Sequence, residues 1–247
     1  MEPLVSLKIE ADGVAVVKLA DEVGRNAMSE PFVHALLARL RDVGTDPKVK
    51  AIVIAGLPDV FCAGASRELL ENLVNGGLAP SDILLSKAVL DLPVPTLAAM
   101  EGHAIGGGLA IGLCADLVLI ARESRYGASF MNMGFTPGMG ITSLLEHVMT
   151  PAMAHEILYT GEAFKGRHFE GRSGFNYILP RGEVLAKAMD LAHRIAEKPR
   201  VALETLKRTL SLPKRQAFER TRTVETMMHQ ISFAQADIGR IISENYE

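Results

Sequence analysis

The sequence contains no tryptophan and only two cysteines, Cys62 and Cys114. Two thiols cannot build a disulfide framework or a cysteine-rich metal cluster, so small stapled scaffolds and zinc modules are excluded. No apolar stretch reaches the ~18–20 residues of a membrane span. The first residues also lack the charged-then-apolar pattern of a secretory leader, which makes the cytoplasm the expected address. Positive charge is not in excess: the net formal charge is -3, and nucleic acid would meet no basic face. What remains is 48% apolar and 22% charged residues over 247 positions, an ordinary globular composition with length enough for a substantial core. The densest basic stretch, "KPRVALETLKRTLSLPKR", reads as a solvated helix face, with an acidic partner as the alternative.

Short β-rich runs at "VAVVKLA", "KAIVIAG", "PTLAAMEG" and "DLVLIA" alternate with helix-type segments. The latter are "SEPFVHALLARLRDVG", "SRELLENLV", "SDILLSKAVLDL" and the small-residue segment after the glycine triplet. That alternation predicts an α/β fold whose sheet is covered. From about Pro151 onward the pattern turns helical. A core over residues 1–195 with a C-terminal helical region over 196–247 is therefore expected. No fixed-period repeat points to a solenoid.

Two strand-to-helix turns carry the chemistry. In "GHAIGGGLAIGLCADLVLIA", Gly106, Gly107 and Gly108 lead from a strand into a helix start, where unpaired N–H groups and the positive helix end can face an oxyanion. The glycines do not match the G-x-G-x-x-G dinucleotide pattern. Judged alone, they would serve equally as a close-packed helix start. In "LPDVFCAGASREL", Ala63, Gly64, Ala65 and Ser66 repeat the arrangement after the strand "KAIVIAG". Two such turns, each offering one backbone N–H, meet the need of a thioester oxyanion hole.

With "GRNAMS" upstream and "GFTPGMG" downstream, these loops resemble the crotonase (enoyl-CoA hydratase/isomerase) superfamily over nearly the whole chain. The resemblance implies a spiral of ββα units with C-terminal helices that build trimers, often paired as hexamers. It also implies that the N–H groups of Ala65 and Gly107, beside Gly64 and Gly106, polarise an acyl-thioester carbonyl. Hydratases of this superfamily carry catalytic glutamates where this chain has Ala110 and Phe130. Methyl and phenyl groups cannot activate water, so ordinary hydration is not expected.

Lys87, on a helical face shared with Ile83 and Leu90, and His229, in the apolar C-terminal "MMHQISF", are the candidates to replace the glutamates. By itself the lysine would snorkel to water, and a lone histidine is usually structural. His34, His147, His155, His168 and His193 read as surface residues, and His103 as a shaper of the glycine loop. The segments around Lys87 and His229 resemble the decarboxylating crotonase homologues of polyketide β-branching cassettes. Those convert a 3-methylglutaconyl thioester on a carrier protein to a 3-methylcrotonyl-type product.

The subgroup implies roles for Lys87 and His229 in holding the leaving carboxylate and returning a proton, with Ala110 and Phe130 as apolar wall. Some relatives carry a tyrosine one helical turn before the lysine, where this chain has Ile83. Ser66 replaces a common aspartate and reads as a helix cap. No metal or redox cofactor is implied. The substrate would ride on the phosphopantetheine of an acyl carrier protein or on coenzyme A, with Arg67 or the 198–215 cluster receiving an acidic carrier. Two rivals stay open: another crotonase reaction such as enoyl-thioester isomerisation, and a non-catalytic thioester-binding or scaffold protein.

Overall fold

The protein is described by a computed structural model covering residues 3–77 and 84–246. The first five strands are β1 (Val5–Ile9), β2 (Val14–Leu19), β3 (Ala51–Ala55), β4 (Val60–Cys62) and β5 (Thr96–Met100). The rest are β6 (His103–Ile105), β7 (Leu117–Ala121), β8 (Arg125–Gly127), β9 (Ala163–Lys165) and β10 (Tyr177–Leu179). A six-stranded sheet has the order β1-β2-β3-β5-β7-β10, parallel except for the β1–β2 hairpin. A smaller sheet, β4-β6-β8-β9, carries the functional turns at its strand ends. All five residues of β3 and of β5 are buried, as expected of central parallel strands covered on both faces.

The core helices are α1 (Glu30–Thr45), α2 (Arg67–Val74), α3 (Leu85–Leu90), α4 (Gly107–Leu113), α5 (Ile141–Val148) and α6 (Pro151–Thr160). The chain closes with α7 (Val184–Ala196), α8 (Arg200–Leu210), α9 (Leu212–Ser232) and α10 (Ile238–Asn245). Helix starts follow local chemistry. Ser29, Ser66 and Thr150 accept from the N–H three residues on, and Pro31 and Pro151 sit in the first turns. One face of the large sheet packs on Val184, Ala188, Ala192 and Ala196 of α7, whose four-residue spacing and small size bring that helix close. The other face builds the larger core with α1, α3, α4 and α5.

The basic stretch is a solvated face only in part: Lys198 and Arg208 are exposed, but two of its lysines turn inward. Lys207 and Lys214 are buried. The Lys207 ammonium donates to the Val94 carbonyl (2.9 Å) and Thr96 hydroxyl (3.1 Å), and it pairs with Asp116 at 2.8 Å. Lys214 donates to the carbonyls of Leu113 and Ala115 at 3.1 and 2.7 Å, which are orphan acceptors at the end of α4. Burial lowers the pKa of both amines. The reason for the correction is tertiary: α8 and α9 fold back so that these side chains reach buried acceptors about a hundred positions away in the chain.

Candidate active site

The loop from β4 to α2 turns at Gly64, whose φ of +95° favours glycine and whose added Cβ would lie 3.0 Å from the Ile105 carbonyl oxygen. The "GRNAMS" segment stitches this loop in place. Met28 N–H donates to the Gly64 carbonyl at 2.7 Å, and Ser66 N–H donates to the Met28 carbonyl at 3.3 Å. Buried Asn26 anchors the segment, donating to Leu19 and Phe61 carbonyls and accepting from Asp21 N–H. Between the two stitched residues, Ala65 N–H meets no acceptor among the described residues.

The second turn runs from β6 into α4. Gly106 has φ +54° and ψ −121°, a conformation that essentially requires glycine, and it starts the helix. Close packing explains the triplet's third glycine, because a Cβ on Gly108 would sit 2.3 Å from the Cys62 carbonyl oxygen. Neither Ala65 N–H nor Gly107 N–H donates to a protein acceptor among the described residues. Both residues line one cavity of about 960 Å³, together with Gly64, Gly106, Phe130 and His229. Met28 and Met139 form the wall against Gly107. Tyr246, just beyond α10, also lines the cavity and donates its hydroxyl to the Ala65 carbonyl at 3.0 Å, anchoring the peptide that follows the one carrying the Ala65 N–H.

His229 reaches the cavity from α9 and is 6% exposed. One ring nitrogen, Nε2, lies 2.8 Å from the Thr136 carbonyl oxygen, and a carbonyl can only accept, so Nε2 carries the hydrogen. The other, Nδ1, is buried without a hydrogen-bond partner among the described residues. Phe135 and Phe233 flank the ring, and Gly138 lies against it so closely that a Cβ there would be 2.4 Å from Cε1. Burial holds the imidazole pKa below its ordinary range, with the Thr136 bond opposing the shift.

Lys87 does not join this site. It lines a separate groove between α3 and α9, 39% exposed, paired with Asp91 at 2.8 Å and Glu219 at 3.1 Å. These partners, the Asp91 bond foremost, raise its pKa and hold it charged. The carboxylates that Lys87 meets are the protein's own, Asp91 at the C-cap of α3 and Glu219 of α9, where a substrate carboxylate was expected. Ala110 is fully buried inside α4 and is not on the cavity lining, so its part in the wall is also corrected. Ile83 lies outside the described residues. Ser66 caps α2 through Leu69 N–H. Arg67 is placed with its guanidinium over the Tyr246 ring, 5.2 Å from the centroid. His103 accepts from Arg125 N–H at 2.8 Å, tying β6 to β8 at the cavity mouth.

The Ala65 and Gly107 amides at two glycine-built turns line one cavity with the buried His229 imidazole, the arrangement that the crotonase resemblance implies. The chain belongs to the enoyl-CoA hydratase/isomerase family, whose pattern matches residues 10–244. It is 38% identical over 240 residues to the bacillaene synthase decarboxylase PksI of Bacillus subtilis (strain 168), spanning 97% of this chain and 96% of that protein. A solved chain from a dehydratase/decarboxylase enzyme couple involved in polyketide beta-branching superposes with a TM-score of 0.94 at 37% identity. That match covers 98% of this chain and 99% of the solved one. The ECH2 decarboxylase domain of CurF from Lyngbya majuscula gives a TM-score of 0.91 at 33% identity, covering 99% of this chain and 100% of that domain.

Proposed function

We propose that the protein decarboxylates a 3-methylglutaconyl thioester, delivered on the phosphopantetheine arm of an acyl carrier protein, to a 3-methylcrotonyl-type thioester during polyketide β-branching. The observation that carries this reading is His229. It is the one buried ionisable side chain on the cavity lining among the described residues, at a site without the two hydratase glutamates. The likeness to decarboxylases over nearly the full chain supports it.

The residues divide the work as follows. Ala65 and Gly107 N–H groups hold the thioester oxygen, which gains charge as electrons move in from the breaking carbon–carboxylate bond. An incoming carboxylate near Nδ1 raises the imidazole pKa, so His229 takes a proton there and pairs with the substrate. Loss of carbon dioxide leaves a dienolate and removes that counter-charge. Burial then makes the imidazolium a strong acid, and it returns its proton to the dienolate carbon. One proton is taken from solvent for each carbon dioxide released, and no metal or redox group is needed for the balance. Phe130, Phe135 and the methionine wall keep water from the dienolate.

Arg25 and Arg125 flank His103 at the mouth and offer cations to the phosphate of the arm. This assigns the carrier to that rim in place of Arg67. The exposed apolar residues of α8 and α9 support the trimeric assembly.

The test is mass spectrometry of a carrier-bound 3-methylglutaconyl thioester. Wild type should release carbon dioxide and His229→Ala should not, while Lys87→Ala should retain activity. An unchanged substrate mass with folded wild-type protein sinks the proposal, and turnover of simple enoyl thioesters instead would indicate an isomerase.

A further inference from the structure

We propose that Glu225 is a positioning residue for both the oxyanion hole and His229, acting by clamping the Gly138–Gly140 turn that forms a wall common to the two. The inference rests on reading the Ala65 and Gly107 amides as an oxyanion hole. It does not depend on which thioester is consumed.

Glu225 is 2% exposed and sits on the inner face of α9, four residues before His229. Its carboxylate accepts three hydrogen bonds. Oε2 takes the Gly140 N–H at 2.6 Å, and Oε1 takes the Thr142 hydroxyl at 2.8 Å and the Thr142 N–H at 3.3 Å. α5 begins at Gly140, which has no side chain to cap its own helix, so the cap is supplied from another helix altogether. A negative carboxylate at that end is also favoured by the α5 dipole.

The clamped turn is one that would not hold itself. Met139 and Gly140 are consecutive left-handed residues, at φ +62° and +78°, and methionine does not favour that region. Fixing the turn places Met139 Sδ 2.6 Å from where a Cβ on Gly107 would be. It also presses Gly138 against His229. Hole wall and imidazole therefore meet through this turn, and one turn of α9 links the clamp to the histidine. Burial holds the Glu225 pKa above the ordinary carboxylate range, with the three donors opposing that shift, and all three hydrogen bonds point at its oxygens as acceptors.

Glu225→Gln keeps the shape but aims an amide NH₂ at one of the donors. The first readout is the infrared carbonyl stretch of 3-methylcrotonyl-pantetheine, ¹³C-labelled at C1, which has no carboxylate to lose. Wild type should shift that stretch to lower frequency, and Glu225→Gln should lose most of the shift. The second is turnover of carrier-bound 3-methylglutaconyl thioester, where kcat should fall roughly tenfold or more with KM little changed, the pattern of a weakened hole. A folded Glu225→Gln with the wild-type shift and kcat overturns the proposal. If that variant does not fold, Thr142→Val, which removes only the hydroxyl donor, should lose part of the shift, and a full shift there overturns it. Wild type that shifts the carbonyl but releases no carbon dioxide defeats the decarboxylase reading and leaves the clamp to be judged by the spectrum. Wild type with no shift overturns the clamp.

Discussion

With its Nε2–H committed to the Thr136 carbonyl, His229 has Nδ1 as its remaining proton-accepting nitrogen. Burial makes the imidazole reluctant to hold a second proton. The unfolded chain binds a proton that the folded chain refuses between the depressed value and about 6.5, the ordinary imidazole pKa. Stability therefore rises with pH across this window and is lost as pH falls through it. Replacing His229 with Asn should flatten that part of the profile, seen as a smaller difference between urea midpoints at pH 5 and pH 7.5 than in wild type. An unchanged difference would mean that the imidazole titrates normally.

The glycines make a paired prediction. A Cβ on Gly107 would first meet the side chains of Met28 and Met139, at 2.3 and 2.6 Å, whereas one on Gly108 would strike the Cys62 backbone. Gly108→Ala should destabilise by about 1–3 kcal/mol through overpacking. Gly107→Ala should leave the unfolding midpoint nearly in place, because the methionines can yield, but lower kcat roughly tenfold or more by crowding the hole. Denaturant midpoints and turnover of the two variants measured side by side decide it.

Among the elements, α9 organises the site. Its inner face carries Lys214, Phe218, Glu225, His229 and Ser232. These touch the end of α4, the start of α5 and the cavity in turn. Lys214→Met leaves the Leu113 and Ala115 carbonyls without their donor and should cost about 1–3 kcal/mol in denaturant unfolding. No loss would show that the desolvation cost of the ammonium cancels its bonds. The strands β2, β3, β5 and β7 were legible because a short apolar run depends on neighbours along the chain, and the two amide turns because backbone geometry demanded small residues. Lys87 was misread for the opposite reason. Asp91 is visible in the sequence at i+4, but Glu219, which completes its pairing, is brought near only by folding. The buried lysines and Glu225 were hidden in the same way. The one local signal was the spacing in "ETMMH", which puts Glu225 and His229 on one face.

At the scale of the whole molecule, the outer faces of α8 and α9 remain unexplained by the single chain. Val201 and Ile231 are 75% and 76% exposed, and Leu210, Val224 and Met227 are also open to solvent. On α9 the spacing 224, 227, 231 draws a stripe opposite the buried face that carries His229. A monomer rarely leaves an apolar band of this kind in water, whereas subunit burial removes it. The crotonase resemblance implies a trimer or paired trimers, and sedimentation velocity should show one of the two. Val224→Asp together with Ile231→Asp should shift the protein toward monomer. If subunit contact on this outer face also holds α9, the same pair should lower kcat while the isolated chain stays folded by circular dichroism. A wild-type monomer with full activity would refute the expectation, and a dissociated variant that keeps full kcat would show that the α9 register is set within one subunit.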